Sequence, residues 1–402
     1  MRRHFISNIP RVGVPPGRDL AVDALRGFAI LLVVLGHSIA VATDLRGADP
    51  KTLMFSIHRF IYLFHMPLLF LISGYVLFGK KLRPWDRAMR LLVPFFAWLP
   101  LYYLMNRYLL GWQVPFTEVL KNLFKSPLIA PGPLWFLPTL FLCSVALIPA
   151  AFLKSEFKWP EEATLAATLV VLNLIRLNVL GFMQVKYFFL FFAVGYLAAK
   201  YRRTLDGLHK KHVNAGLAAI SALFLFGFTG LFYMGRLDPS AFPVTLWMLF
   251  SDPLGWIIRY SMAFLGIAFS IALVRALKTP VARKTLAWFG LVTMDIYVVH
   301  GITIRATFGT TGWVGLLISF LCGVFLSLAV SLLLLRQSEV TAMLFLGIRP
   351  RARTSSGVAP VTSAPSMPVG AMALDEEGTG IDGDGAEGSG RHFEPDDEPT
   401  LW

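Results

Sequence analysis

Apolar runs of about 20 residues recur along this chain, each long enough to cross the hydrocarbon of a bilayer. They fall roughly at 20–43, 55–79, 89–110, 133–153, 163–180, 187–200, 213–234, 254–275, 286–304 and 313–335. Lipid offers the backbone no hydrogen-bond partners, so runs of this length fold as helices. The expected fold class is therefore all-α, a polytopic integral membrane protein with about ten transmembrane helices in one bundle. Composition points the same way, with 56% hydrophobic and 15% charged residues, well away from a soluble average. A soluble chain of this size has too little interior for 34 Phe and 10 Trp.

Three regions follow: a polar segment at 1–19, the membrane domain at 20–335, and a tail at 336–402. The first segment lacks the short apolar core and small-residue cleavage site of a signal peptide, so the first span is expected to act as an uncleaved anchor. Basic residues gather before span one (Arg2, Arg3, Arg11, Arg18), after span two (Lys80, Lys81, Arg83, Arg87, Arg90), after span six (Lys200, Arg202, Arg203, Lys210, Lys211) and after span eight (Arg275, Lys278, Arg283, Lys284). Such alternation is the positive-inside pattern. It places both termini on the cytoplasmic side and the loops at 44–54, 111–131, 235–253 and 305–312 on the other.

Net charge divides unevenly. Ten acidic residues against three Arg make residues 351–402 −7, so the remainder of this +13 chain carries +20. That excess belongs to the cytoplasmic loops and implies no nucleic-acid partner. The Gly-, Ser-, Pro- and acid-rich tail reads as disordered from about residue 351. Cys143 and Cys322 both lie inside apolar spans and make neither a disulfide framework nor a metal site. No zinc spacing, P-loop, dinucleotide glycine pattern or nucleophile elbow is present, so no metal and no resident cofactor are expected.

Ionisable residues inside the spans carry the functional signal, because their burial in lipid is costly. Arg26 and His37 share the first span. Eleven residues of helix return to nearly the same face and separate them along the axis by about 16 Å. That spacing sets a cation near one surface and a titratable imidazole about half-way across. His37 is a candidate general base for a hydroxyl attacking a carbonyl; a packing histidine bonded to a neighbouring helix is the plainer reading. Asp44, two turns on, either orients that imidazole or caps the helix. Arg87 and Arg90, three apart, either clamp phosphates in bidentate fashion or simply flank the membrane. Trp135, in Pro133-Leu134-Trp135-Phe136-Leu137, reads first as an interfacial anchor. Asp295, Tyr297 and His300 put an acid, a phenol and an imidazole in span nine, with polar packing as the alternative. His58 and His65 share a face but stand too far apart along one helix to chelate a metal together.

The motifs in order resemble the acyltransferase 3 family of polytopic membrane O-acyltransferases. They are Asp23-Ala24-Leu25-Arg26-Gly27 with His37, then Phe64-His65-Met66-Pro67-Leu68-Leu69-Phe70-Leu71-Ile72-Ser73-Gly74-Tyr75, Arg87-x-x-Arg90, Leu134-Trp135-Phe136-Leu137 and Ile296-Tyr297-Val298-Val299-His300. The resemblance covers residues 20 to about 335 and leaves out the acidic tail. It implies transfer of an acyl group, usually acetyl from acetyl-CoA, to a hydroxyl of a sugar, glycan or lipid-linked carbohydrate. It implies His37 as catalytic histidine with Arg26 its partner, and Arg87 and Arg90 as donor-phosphate ligands. Asp44, His65, Trp135, Tyr297 and His300 are accessory candidates. The expected partners are acyl-CoA, a carbohydrate or lipid-linked glycan acceptor, membrane lipids and polysaccharide biosynthesis machinery. The expected location is a bacterial cytoplasmic (inner) membrane. Two other classes compete. A transporter of a glycosidic or acidic solute would show paired halves with broken helices, and no such repeat is visible. A non-catalytic scaffold of an export system would have no need of His37 or the Arg87–Arg90 pair.

Overall fold

A computed structural model of the chain describes residues 18–43, 52–109, 111–125, 132–175, 182–206, 210–233 and 252–348. Asp44, the first seventeen residues and the acidic tail lie outside the described residues. All regular structure among the described residues is helical.

Seven helices have the length and apolarity to cross a membrane. They are α1 (Leu20–Thr43), α2 (Leu53–Leu77), α3 (Pro84–Leu109), α4 (Pro133–Phe157), α7 (Val213–Leu231), α8 (Pro253–Ala276) and α11 (Gly312–Gln337). Between α4 and α7 lie α5 (Glu161–Leu174) and α6 (Phe182–Lys200). After α8 come α9 (Pro280–Leu291) and α10 (Thr293–Arg305), which together make an eighth apolar element bent by 75°. A last helix, α12 (Glu339–Leu346), follows α11. The polytopic all-α expectation holds, while the number of full-length spans among the described residues is seven or eight rather than ten. The difference is partly one of length. At 14 residues, α5 reaches only about 21 Å, short of the roughly 30 Å of a bilayer core.

Small residues decide how closely the helices meet. Gly27 of α1 lies against the Leu286 carbonyl, and Gly290 of α9 lies against the Asp23 carbonyl, so a Cβ at either position would strike backbone. Gly74 of α2 and Gly195 of α6 pair in the same reciprocal way, through the carbonyls of Phe192 and Leu71. Without a hydrophobic drive between helices in lipid, such close backbone approach supplies the packing energy. Both contacts lie toward the Arg26 end of α1, which fixes that end of the bundle.

The bend between α9 and α10 has a local cause. Val292 sits at φ −100, ψ 20, outside helical geometry, and Thr293 Oγ1 turns back to donate to the Gly290 carbonyl at 2.8 Å. Side-chain hydroxyls that bond back onto the preceding turn bend helices. The bend leaves α9 crossing α1 at the level of Gly27 and sends α10 toward His37. Further on, α11 contains a π-helical turn at Cys322–Leu326 where Gly323 packs on Val34 and Ile304.

Candidate active site

The first helix runs unbroken from Leu20 to Thr43 and carries both Arg26 and His37. At its start, Asp23 is buried and accepts from Arg18 through Nε at 2.7 Å and a terminal nitrogen at 2.5 Å. Arg26 approaches the same carboxylate at 3.4 Å. Arg87 and Arg90 enter from the first two turns of α3. Arg87 donates to Ser144 Oγ at 2.9 Å, and that hydroxyl donates in turn to the Leu140 carbonyl. Arg90 is exposed to solvent and stands at the open edge of this group. Next to it, α12 is docked by Trp98 Nε1 donating to the Phe345 carbonyl at 2.9 Å and ends with Gly347 against the Arg90 carbonyl.

Lys80, in the turn between α2 and α3, belongs to the same mouth. Crowding by protein lowers its ammonium pKa below the ordinary value, and the charges of Arg90, Arg26, Arg87 and Arg18 add to the shift. Five cations therefore act on one another here, with Asp23 as the shared carboxylate of Arg18 and Arg26. A recess of this kind suits a ligand bearing several negative charges.

The second cluster surrounds His37, which is partly accessible inside the bundle. Its ring lies 5.3 Å from that of His300 on α10 and 6.3 Å, edge-on, from Tyr62 on α2. Tyr62 stacks on His58 at 3.9 Å and lies 4.8 Å from His65. The neighbouring Gly36 makes room for the Tyr62 ring. Two of these imidazoles are oriented by backbone. His65 Nδ1 donates to the Ile61 carbonyl at 2.8 Å, and His300 Nδ1 donates to the Tyr297 carbonyl at 2.7 Å. Carbonyls only accept, so the remaining nitrogen of each neutral ring is an acceptor. His300 Nε2 is buried with no hydrogen-bond partner. Among the described residues no group of three or more His, Cys, Asp or Glu is arranged to hold a metal ion.

Two tyrosines brace this cluster from behind. Tyr297 donates to the Pro133 carbonyl, and Tyr102 donates to the Val298 carbonyl at 3.1 Å. Both side chains are buried.

The structure thus joins His37, His65 and His300 and gathers Arg26, Arg87 and Arg90 at a second point. Trp135 stands aside: its ring is 5.4 Å from Phe188, and its carbonyl accepts from Thr139. Asp295 turns away as well, bound by Arg336 through two contacts of 2.6 and 2.8 Å and by Ser331 at 2.5 Å. Tyr62 is the site residue that sequence reasoning passed over. Its signal was there in His58-x-x-x-Tyr62-x-x-His65, a single helix face at spacings of four and three.

Fold and site together define a polytopic membrane protein in which one helix links a basic recess to an imidazole cluster inside the bundle. The chain belongs to the acyltransferase 3 family, whose acyltransferase domain matches residues 19–336. It is 31% identical over 189 residues to nodulation protein NolL of Sinorhizobium fredii, a stretch covering 46% of this chain and 49% of that protein. It is 29% identical over 189 residues to nodulation protein NolL of Mesorhizobium japonicum, covering 46% and 48%. The matched stretch thus spans about half the length of these curated relatives. No solved structure matches the chain.

Proposed function

We propose that this acyltransferase-domain protein is a membrane O-acyltransferase. It moves an acyl group, by preference acetyl, from cytoplasmic acyl-CoA to a hydroxyl of a carbohydrate such as an exopolysaccharide, O-antigen or lipid-linked sugar. One observation carries the reading: a single unbroken helix ties a recess of cations to an imidazole pair about 16 Å further along its axis. The recess, with Arg87 and Arg90 beside Lys80, takes the donor's phosphates. The pantetheine arm then runs along α1 with its thioester toward His37. In this scheme His37 accepts the proton of the acceptor hydroxyl as the oxygen attacks the thioester carbonyl carbon. The C–S bond breaks, and the departing thiolate recovers the proton from the imidazolium. Arg26, within the recess, steadies the donor where the arm begins its path toward His37.

The protein then resides in a bacterial cytoplasmic membrane with both termini inside, and the acceptor meets it from the far side. Modification of surface glycan would couple it to polysaccharide biosynthesis machinery. The test uses membranes bearing wild type or His37→Ala and acetyl-CoA labelled in the acetyl group. Label that enters a glycan or lipid fraction only with His37 intact, and that alkali releases as acetate, supports O-acetylation. Equal labelling by the variant overturns the base assignment.

A further inference from the structure

Beyond the two clusters lies a cation that the transfer scheme leaves unused. Arg305 closes α10, a turn and a half past His300. Its charge is near enough to act on His37, on His300 and on the Tyr102 hydroxyl. One of its terminal nitrogens is sealed from solvent and has no hydrogen-bond partner. Among the described residues no acidic side chain forms an ion pair with it. Arg305 as a whole is only partly buried, so water reaches part of the guanidinium, but the sealed N–H donor still costs stability unless a ligand completes it. The second unsatisfied atom is His300 Nε2, five residues back on the same helix and roughly 140° around it, where the guanidinium charge still acts on the ring. Arg305 also sits on the far side of His37 from the Arg26 recess, so a donor held in that recess does not reach it first.

We propose that Arg305 and His300 form an acceptor subsite. Arg305 binds an anionic group of the acceptor, a carboxylate or phosphate, and His300 Nε2 accepts a hydrogen bond from one of its hydroxyls. The subsite selects acidic acceptors, such as uronic-acid glycans or sugars carried on a lipid phosphate. Its name as an acceptor subsite rests on the acyl-transfer reading; its affinity for anions does not.

The experiment measures thermal unfolding of the purified full chain in detergent with glucuronate, inorganic phosphate or glucose added. The chains are wild type, Arg305→Gln, the Arg87→Ala/Arg90→Ala double variant, and Arg305→Gln or Arg305→Lys placed on that double variant. In the absence of anion, Arg305→Gln should melt at or above the wild-type temperature, since it removes a sealed donor without a partner. Glucuronate or phosphate should raise the midpoint of wild type and of the double variant, and glucose should not. In Arg305→Gln placed on the Arg87→Ala/Arg90→Ala background, where the donor recess is disabled, the anion concentration needed should increase by about tenfold or more, with partial recovery in Arg305→Lys on the same background. A response to glucuronate alone assigns the site to a carboxylate such as a uronic acid; a response to phosphate alone assigns it to a phosphate. Three results overturn the proposal: a lower melting point for unliganded Arg305→Gln, an anion response of the double variant that ignores Arg305, or no anion response at all. Labelled acetyl transfer is followed on the same preparations. An Arg305-dependent anion response without any transfer counts against the enzymatic reading and leaves the anion site standing.

Discussion

The rings of His37 and His300 lie 5.3 Å apart, one from the first helix of the bundle and the other from the kinked segment beyond α9. His300 is held by backbone carbonyls at Nδ1, whereas His37 is partly accessible. Under the acyl-transfer reading this asymmetry would give them different work, with the accessible ring moving the proton and the fixed ring positioning.

Replacing His37 by alanine should therefore lower labelled acetyl transfer by about 10²–10⁴-fold with membrane insertion unchanged. His300→Gln, which can still accept a hydrogen bond, should retain more activity than His300→Ala. Initial rates in membranes normalised for protein content decide both. Equal losses for the two His300 variants would deny it a positioning role.

At the recess, Arg87→Ala combined with Arg90→Ala should raise the KM for acetyl-CoA by about tenfold or more while changing kcat less, since charge-assisted contacts to phosphate act in binding. Arg87→Ala alone also leaves Ser144 without that donor. A donor dependence identical to wild type would return the pair to membrane flanking.

Lys80 predicts a pH effect with a definite sign. Its side chain stays exposed, yet partial desolvation at the mouth and four neighbouring arginines lower its pKa in the folded protein, so the folded state binds its proton less readily than the unfolded chain does. Stability must then rise with pH between the lowered value and the ordinary 10.5. Lys80→Met removes the penalty and should raise the melting point at neutral pH only slightly, because water screens an exposed ammonium, and that advantage shrinks as pH climbs through the window. Donor affinity should move the opposite way, falling in wild type as Lys80 loses its proton. Melting curves and acetyl-CoA titrations across alkaline pH test both signs.

The Asp295–Arg336 pair is nearly inaccessible, with side-chain exposures of 2% and 10%. Asp295→Leu alone removes the carboxylate that holds this guanidinium, and loss of one partner of a buried pair typically costs about 3–5 kcal/mol. Asp295→Leu with Arg336→Met should recover most of the melting temperature. If the double variant is no better than the single one, the pair is not an isolated structural unit.

Much of this was legible in the sequence because lipid imposes a simple rule: long apolar runs are helices, and charges among them are rare. Arg26 and His37 stood out for that reason, and helix periodicity alone gave their shared face. What could not be read was which neighbour each polar group finds. Asp295, Tyr297 and His300 look equivalent in the sequence. The structure sends Asp295 to Arg336, Tyr297 to the Pro133 carbonyl and His300 to His37. Those partners lie on different helices, and the 75° bend that aims α10 depends on Val292 and Thr293. Nothing in the hydropathy of 286–304 announces a break there. Asp44 lies outside the described residues.

The continuity of α1 has one more consequence. A helix with no interruption between Arg26 and His37 cannot shorten, so under the acyl-transfer reading it behaves as a ruler laid beside the donor. Phosphates anchored at one mark deliver the thioester to the other only if the arm between them has the right length. Donor choice would then be a matter of reach as well as charge. A donor with a trimmed arm would bind in the recess and stall there, occupying the enzyme without reaching its base.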